Sequence, residues 1–295
     1  MRRYRLLSYF GILTGVVFFF FTLYGITKGT TNFRVKEVSI TYSNLPAAFD
    51  GFRIAQISDV HLGSFYYQQS VEKGISLLNE QKPDVILMTG DMVNVVSDEA
   101  SHYVDLFKNL KPAYGKYAVL GNHDMGDYMK WDTLEGQHSR TDAVATIETA
   151  MGFTVLRNAH AVLHKNSDSI VLAGVDNWGL PPFKKYGNLN QALTGISPNA
   201  FTILLSHDPS HWDAEVVSKT KVALTLSGHT HAFQIGFDYG NIRWSPIFLK
   251  YKEYLGLYES GMQYLYVNPG FGFIGFAGRI GVPPEVTIIT LRKKS

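Results

Sequence analysis

A chain of 295 residues with 45% hydrophobic and 18% charged side chains has material for a full core, which excludes a disordered chain. Its formal net charge of +2, without a long Lys/Arg run, speaks against a nucleic-acid partner, and no nucleic-acid binding is expected. Cysteine is absent, so disulfides and thiolate metal sites are excluded and imidazole, carboxylate and amide groups remain as possible ligands.

The chain opens on an appendage. Residues 6–26 form an uncharged apolar run, about 31 Å long as a helix at ~1.5 Å per residue, which matches a bilayer core. Arg2, Arg3 and Arg5 precede it, and Lys28, Arg34 and Lys36 follow. That balance modestly favours a cytoplasmic N-terminus, with a single-pass anchor in the cell (inner) membrane and the rest of the chain on the non-cytoplasmic side. A cleaved signal peptide is the rival reading, but the run is longer than a usual signal core and no A-x-A-like site follows. The expected division is an anchor over 1–27, a linker with the first strand over 28–48, and one domain over 49–295.

Beyond the polar linker 29–32, short apolar runs alternate with longer mixed segments, which predicts an α/β domain. Residues 35–42 alternate and read as an edge or antiparallel strand, closed by a turn at Asn44, Leu45 and Pro46. Residues 71–81 have helical spacing, with Pro83 just beyond. Five apolar runs then end in potential ligands. Residues 52–57 lead into Asp59 and His61, 85–88 into Asp91, and 117–120 into Asn122, His123 and Asp124. Residues 201–205 lead into His207, and 222–226 into His229 and His231. Loops beyond strand carboxyl ends are where α/β sites form, so the five ends are expected to converge on one cleft.

Taken singly, each piece is commonplace: Asp-x-His is often an exposed turn, and Gly-Asp is a frequent turn dipeptide. Together they carry chemistry. On an extended segment, residues two apart share a face, so His229 with His231, and Asp59 with His61, are expected to chelate in pairs. Nitrogen and oxygen donors without sulfur suit Mn²⁺, Fe or Zn²⁺, and their number allows two divalent ions. Two ions would sit roughly 3.5–4 Å apart and need a bridging carboxylate, for which Asp91 is the candidate. Such a centre supplies hydroxide near neutral pH and clamps a phosphoryl group, so phosphoester hydrolysis follows.

The ordered blocks D-x-H, G-D, G-N-H-(D/E), a separate H and G-H-x-H, between residues 52 and 231, resemble the calcineurin-like metallophosphoesterase superfamily. The resemblance implies a four-layer α/β sandwich of two mixed sheets flanked by helices. It implies Asp59, His61 and His231 on one ion, Asn122, His207 and His229 on the other, Asp91 bridging, and His123 acting on the substrate. The C-terminal segment around Tyr266 to Gly270, Arg279 and Pro283 to Glu285 looks like the YkuE/YaeI-like membrane-associated bacterial phosphodiesterase branch. Arg279 is a candidate for a substrate phosphate or, equally, for an ion pair with Glu285. Asn94 stands where the phosphoprotein phosphatases carry an Asp that pairs with the catalytic histidine. His123 is therefore expected to be a weaker proton donor, unless Asp124 or another carboxylate supplies the charge.

Aromatic residues crowd between the motifs, among them Tyr128, Trp131, Trp178, Phe183, Tyr251 and Phe271. Core packing accounts for most of them; those at the cleft mouth would favour a lipid-like or nucleotide-linked phosphodiester or pyrophosphate. Lys250 and Lys252 are candidates for anionic head groups, with solvation the plainer reading. A membrane-tethered metal sensor without turnover, or a mononuclear iron oxygenase, would use some of the same donors, but the full ligand complement favours the hydrolase.

Overall fold

A computed structural model describes residues 2–239 and 242–294, without the side chains of Arg2 and Arg3, so those two charges of the N-terminal flank lie outside the described residues. The first helix, α1 (Arg2–Thr27), is long and apolar enough to cross a membrane. Nearly all its side chains from Tyr4 to Ile26 are exposed. An all-round apolar helix of this kind has no polar face to offer water. Its last turn meets the domain, where the Arg279 N–H donates to Gly25 O at 3.1 Å.

The domain follows with β1 (Arg34–Tyr42), β2 (Arg53–Ile57), α2 (Gln68–Glu80) and β3 (Val85–Met88). Next come α3 (Val104–Lys108), β4 (Lys116–Ala118), α4 (Leu134–Ala150), β5 (Phe153–Val155), β6 (Ala159–Lys165) and β7 (Asp168–Gly174). The second half holds α5 (Leu189–Ala192), β8 (Thr202–Leu205), β9 (Leu224–Ser227), β10 (Phe237–Tyr239) and β11 (Ile242–Trp244), then β12 (Gly256–Ser260), β13 (Gln263–Val267) and β14 (Glu285–Lys293). One six-stranded sheet has the order β1-β14-β2-β3-β4-β5 and the other β12-β13-β9-β8-β7-β6, both mixed; β10 and β11 form a separate ribbon. The expected edge strand is present, but β1 pairs parallel with β14 along its whole length, and β14 in turn runs antiparallel to β2.

Strand alternation builds the layers. Ile54, Val85, Leu87 and Ile289 of the first sheet meet Leu172, Ile203, Leu205 and Leu226 of the second in a central core. Each such side chain contributes roughly 1.5–3 kcal/mol on full burial. Their neighbours Ala55, Ile57, Ile86 and Met88 face outward, under Val71, Ile75 and Leu78 of α2, Phe107 of α3 and Val144 of α4. The second sheet turns Ala173, Leu204 and Leu265 toward Leu189 and Ala192 of α5 and toward Trp212. The result is the expected four-layer sandwich. Lys116 fastens one outer layer, its Nζ donating to Phe107 O and Met151 O at 2.7 Å each, at the carboxyl ends of α3 and α4.

The site is placed by strand direction. β2, β3 and β4 are parallel neighbours in one sheet, and β8 and β9 in the other, so each sheet delivers its carboxyl-terminal turns to the same pole. Gln56, buried between the sheets, donates to Thr89 Oγ1 (3.1 Å) and Ser227 O (2.9 Å), tying them together beneath that pole.

Candidate metal centre

The turns that follow these strands are not extended. Asp59, His61, Asp91, His229 and His231 have φ of 50°, 48°, 58°, 70° and 49°. Left-handed backbone costs a non-glycine residue roughly 1–2 kcal/mol, and such residues gather at functional sites. Hydrogen bonds hold the strained turns. Asp59 N–H donates to Gly90 O (2.9 Å) and His61 N–H to Asp91 O (3.1 Å). The buried Asp124 carboxylate accepts from the N–H groups of Asp91 (2.7 Å), Met92 (3.0 Å), Val93 (3.3 Å) and Gly121 (2.9 Å). Gly228 has a separate reason to be glycine: a Cβ there would collide with Ser58 Oγ and the Asp59 carboxylate, which pass against it.

This backbone corrects the paired-chelate expectation for His229 and His231. His229 Nδ1 reaches Asn122 Oδ1 at 2.7 Å, whereas His231 Nε2 reaches Asp59 Oδ1 at 3.2 Å. The two imidazoles part toward different partners because His229 and His231 are left-handed on either side of a right-handed Thr230, so the segment is a turn rather than a strand.

Two donor groups result, and they share Asp91. On one side His61 Nε2 lies 3.2 Å from His231 Nε2, beside Asp59. On the other, His207 Nε2 lies 3.0 Å from Asn122 Oδ1 and 3.3 Å from His229 Nδ1. Asp91 Oδ2 stands 3.7 Å from His61 Nε2 and 3.1 Å from His207 Nε2. The sets Asp59–His61–His231, His61–Asp91–His123 and Asp59–Asp91–His207 each bring donor atoms within 4.8 Å of one another.

Outer contacts aim these donors. His207 Nδ1 is 2.7 Å from Thr89 O, so that nitrogen carries a proton and Nε2 turns inward. His61 Nδ1 faces Asn94 Oδ1 at 3.1 Å, which turns Nε2 inward in the same way. Asn122 points its oxygen at the imidazoles while Nδ2 donates to Tyr128 O–H at 2.8 Å. His229 Nε2 meets the Tyr251 hydroxyl (2.8 Å) and Asp208 (3.5 Å). The roles of Tyr128, Tyr251 and Asp208 were not assigned from the sequence; Asp208, adjacent to His207, carried the nearest signal.

His123 and Arg279 sit differently from expectation. His123 Nδ1 bonds the backbone carbonyl of Asn94 (2.7 Å), not its side chain, and the ring stacks on Tyr128 with centroids 4.0 Å apart. Asp124 is spent on backbone N–H groups rather than on His123. Arg279 is 1% exposed. Its guanidinium donates to the carbonyls of Pro269 (2.8 Å), Gly270 (3.2 Å), Gly272 (2.6 Å) and Val282 (3.2 Å), and approaches His231 Nδ1 at 3.4 Å. It is thus packed behind the site as a loop clamp, and Glu285 pairs instead with Arg34 at 2.8 Å. The described hydrogen bonds of its guanidinium go to carbonyls, and no ion pair with Glu285 stands among the described residues.

The family model for calcineurin-like phosphoesterases matches residues 52–233, the span that holds every strand-end motif. The chain belongs to that family. A Bacillus subtilis relative, the uncharacterized metallophosphoesterase YkuE, is 34% identical over 87% of this chain and 84% of its own length. A zebrafish (Danio rerio) transmembrane protein with metallophosphoesterase domain is 30% identical over 96% of this chain, which spans 62% of that protein. An Aquifex aeolicus metallophosphoesterase is 28% identical over 88% of this chain and 92% of its own.

This phosphoesterase therefore is a hydrolase of phosphoesters with a divalent-metal site, and the donor set fits a cation. With Nδ1 protonated, His207 aims a lone pair at oxygens of Asp91 and Asn122, an arrangement that calls for positive charge between them. A proton competes for that place: burial opposes charge on His207, but Asp91 and Asp59 outweigh it and raise its pKa to about 10. Burial pushes the His61 pKa down to about 3, so that ring is a neutral donor. Burial works against the Asp91 anion, yet His207 and His123 hold it ionised. Buried beside Asp91, Asp124 is raised to about 7.

Proposed function

We propose that this phosphoesterase uses two divalent ions to hydrolyse phosphodiester or pyrophosphate bonds of a lipid-linked or nucleotide-linked substrate. The observation that carries the reading is the single Asp91 oxygen placed between His61 and His207, each belonging to a different donor group. Asp59, His61 and His231 would hold one ion and Asn122, His207 and His229 the other, with Asp91 placed to serve both. When bound, the ions acidify a water into a nucleophile and clamp the attacking and leaving oxygens. Donors of nitrogen and oxygen alone favour Mn²⁺, with Fe or Zn²⁺ as alternatives.

The chain's own groups do the rest. Asn94 O fixes His123 through Nδ1, which leaves Nε2 to hand a proton to the leaving oxygen. Tyr128 keeps that ring in place by stacking and orients Asn122 through its hydroxyl. Residues 1–27 serve as the anchor, 28–48 as the connection carrying β1, and 49–295 as the catalytic domain. Arg2, Arg3 and Arg5 precede the apolar run of α1 and Lys28, Arg34 and Lys36 follow it, with Arg2, Arg3 and Arg5 the closer cluster, which modestly supports a domain on the non-cytoplasmic side. A C-terminal reporter fusion reads that orientation.

The deciding assay is hydrolysis of bis-p-nitrophenyl phosphate and p-nitrophenyl phosphate by the metal-stripped chain resupplied with Mn²⁺, beside Asp91→Asn. Restored diester cleavage, lost in the variant, supports the reading. Two bound ions with no turnover of either ester would favour a membrane-tethered metal sensor or scaffold instead.

A further inference from the structure

The ribbon of β10 and β11 is amphipathic in the wrong sense for water. Its register pairs Phe237 with Trp244, Asp238 with Arg243 and Tyr239 with Ile242. Period-two alternation therefore puts Phe237, Tyr239, Ile242 and Trp244 on one face and the charged pair on the other. The charged face is the inner one. Asp238 pairs with Arg34 at 2.6 Å, while Arg243 donates to Leu257 O at 3.0 Å and lies over the Tyr258 ring. The apolar face is the outer one, with Phe237 45%, Tyr239 86%, Ile242 67% and Trp244 44% exposed. The turn Pro246–Leu249 adds exposed Phe248 and Leu249. A contiguous outward apolar patch of this kind marks a contact surface rather than ordinary scatter.

Its position names the occupant. The ribbon is joined to the 279–281 segment, where Gly236 N–H donates to Ile280 O at 3.0 Å. That segment is the one on which the last turn of α1 rests, through the Arg279 N–H to Gly25 O bond. A Cβ at Gly29 would collide with Arg279 O, so the chain leaving α1 is in direct backbone contact there. Strand direction agrees: β1 starts just after α1 and runs antiparallel, through β14, to β2, so the helix ends at the pole where β2, β3 and β4 deliver their ligands.

We infer that the β10–β11 ribbon is a second membrane contact, an interfacial platform whose outer face enters the same bilayer that α1 crosses. Aromatic and aliphatic side chains beside a membrane span are suited to the head-group boundary. The platform is fastened to the metal centre: Ser245 Oγ donates to Ala232 O at 2.6 Å, next to His231, and Tyr251 O–H meets His229 Nε2. The cleft then opens at the lipid surface, and its substrate class is a phosphoester presented at a head group. The inference rests on α1 spanning a bilayer, not on turnover.

The cysteine-free chain allows a direct test. Full-length Ile242→Cys, Met262→Cys and Val16→Cys variants carry a nitroxide in phosphatidylethanolamine/phosphatidylglycerol nanodiscs, and collisions with oxygen and with a nickel chelate are measured. Met262, 68% exposed, follows β12 at the start of β13, at the opposite pole. Expected are lipid signatures at 16 and 242, with the ratio of oxygen to nickel collisions several-fold above that at 262. A 242 label as water-accessible as 262, while 16 reports lipid, overturns the platform and leaves α1 standing. Low collisions with both reagents at 242 would mean a protein contact, such as a second copy, and also overturn it. An aqueous signal at 16 overturns the anchor and the platform together.

Discussion

Asn94 holds two imidazoles with two different groups, its side-chain oxygen facing His61 and its carbonyl facing His123. Asn94→Ala removes the first contact and keeps the second. Because outer contacts to metal-binding histidines typically carry about 10–100-fold in affinity or activity, the variant is expected to need correspondingly more Mn²⁺ for half-maximal activity, with kcat recovered at saturation. A fall in kcat that added metal does not reverse would shift the role to His123. Arg279 makes a contrary case. Its planar fork serves several carbonyls at once, a geometry that an ammonium does not reproduce. Arg279→Lys is expected to lower stability by about 2 kcal/mol or more, seen in denaturant unfolding. An unchanged midpoint with a raised KM would return Arg279 to the substrate. The sequence reading found the candidate ligands because each follows an apolar run in polar punctuation. The burial and carbonyl partners of Arg279 are not legible in the same way, because they come from a loop that only the fold assembles around it.

The strand elements were legible to within a residue or two: the runs 52–57, 85–88, 201–205 and 222–226 correspond to β2, β3, β8 and β9. Helix 71–81 corresponds to α2, whose inward residues Val71, Ile75 and Leu78 follow the helical repeat. Pairing was less legible, since the parallel match of β1 with β14 joins residues from opposite ends of the chain. Helix α4 carries a testable anomaly. Glu148 is fully buried there, and neither carboxylate oxygen has a hydrogen-bond partner among the described residues. Burial, reinforced by Asp124 and Asp176, raises its pKa well above the ordinary 4.5. The folded chain thus keeps a proton that the unfolded chain releases. Its stabilising contribution is complete below about pH 4.5 and is lost as pH rises toward the folded value. Glu148→Gln is expected to flatten the decline of Tm with pH above 5, with the two curves meeting in acid. Parallel curves across that range would show that Glu148 is already paired.

At the scale of the whole molecule, the candidate metal centre draws its donors from the strand-end turns of both sheets, which share a core and the Gln56 tie beneath it. Ion binding is therefore expected to stabilise the entire domain. At a free ion concentration of roughly 100 Kd, one bound ion adds about 2.7 kcal/mol, or a rise of about 5–10 °C at roughly 2–4 °C per kcal/mol for a domain of this size. Near-UV circular dichroism on the stripped and Mn²⁺-reloaded chain reads this directly; bound ion without any shift in Tm would mean that the donors bind equally well when unfolded. The sequence by itself determined the apolar anchor candidate, the α/β alternation and the candidate donors, because local periodicity and strand-end punctuation are written in consecutive residues. Tertiary structure decided which candidate donors share a neighbour, that His229 and His231 diverge, that carbonyls surround the Arg279 guanidinium, and that α1 ends at the pole of the candidate ligands. Those outcomes depend on left-handed turns, strand direction and contacts between segments far apart in the chain, none of which a local pattern encodes.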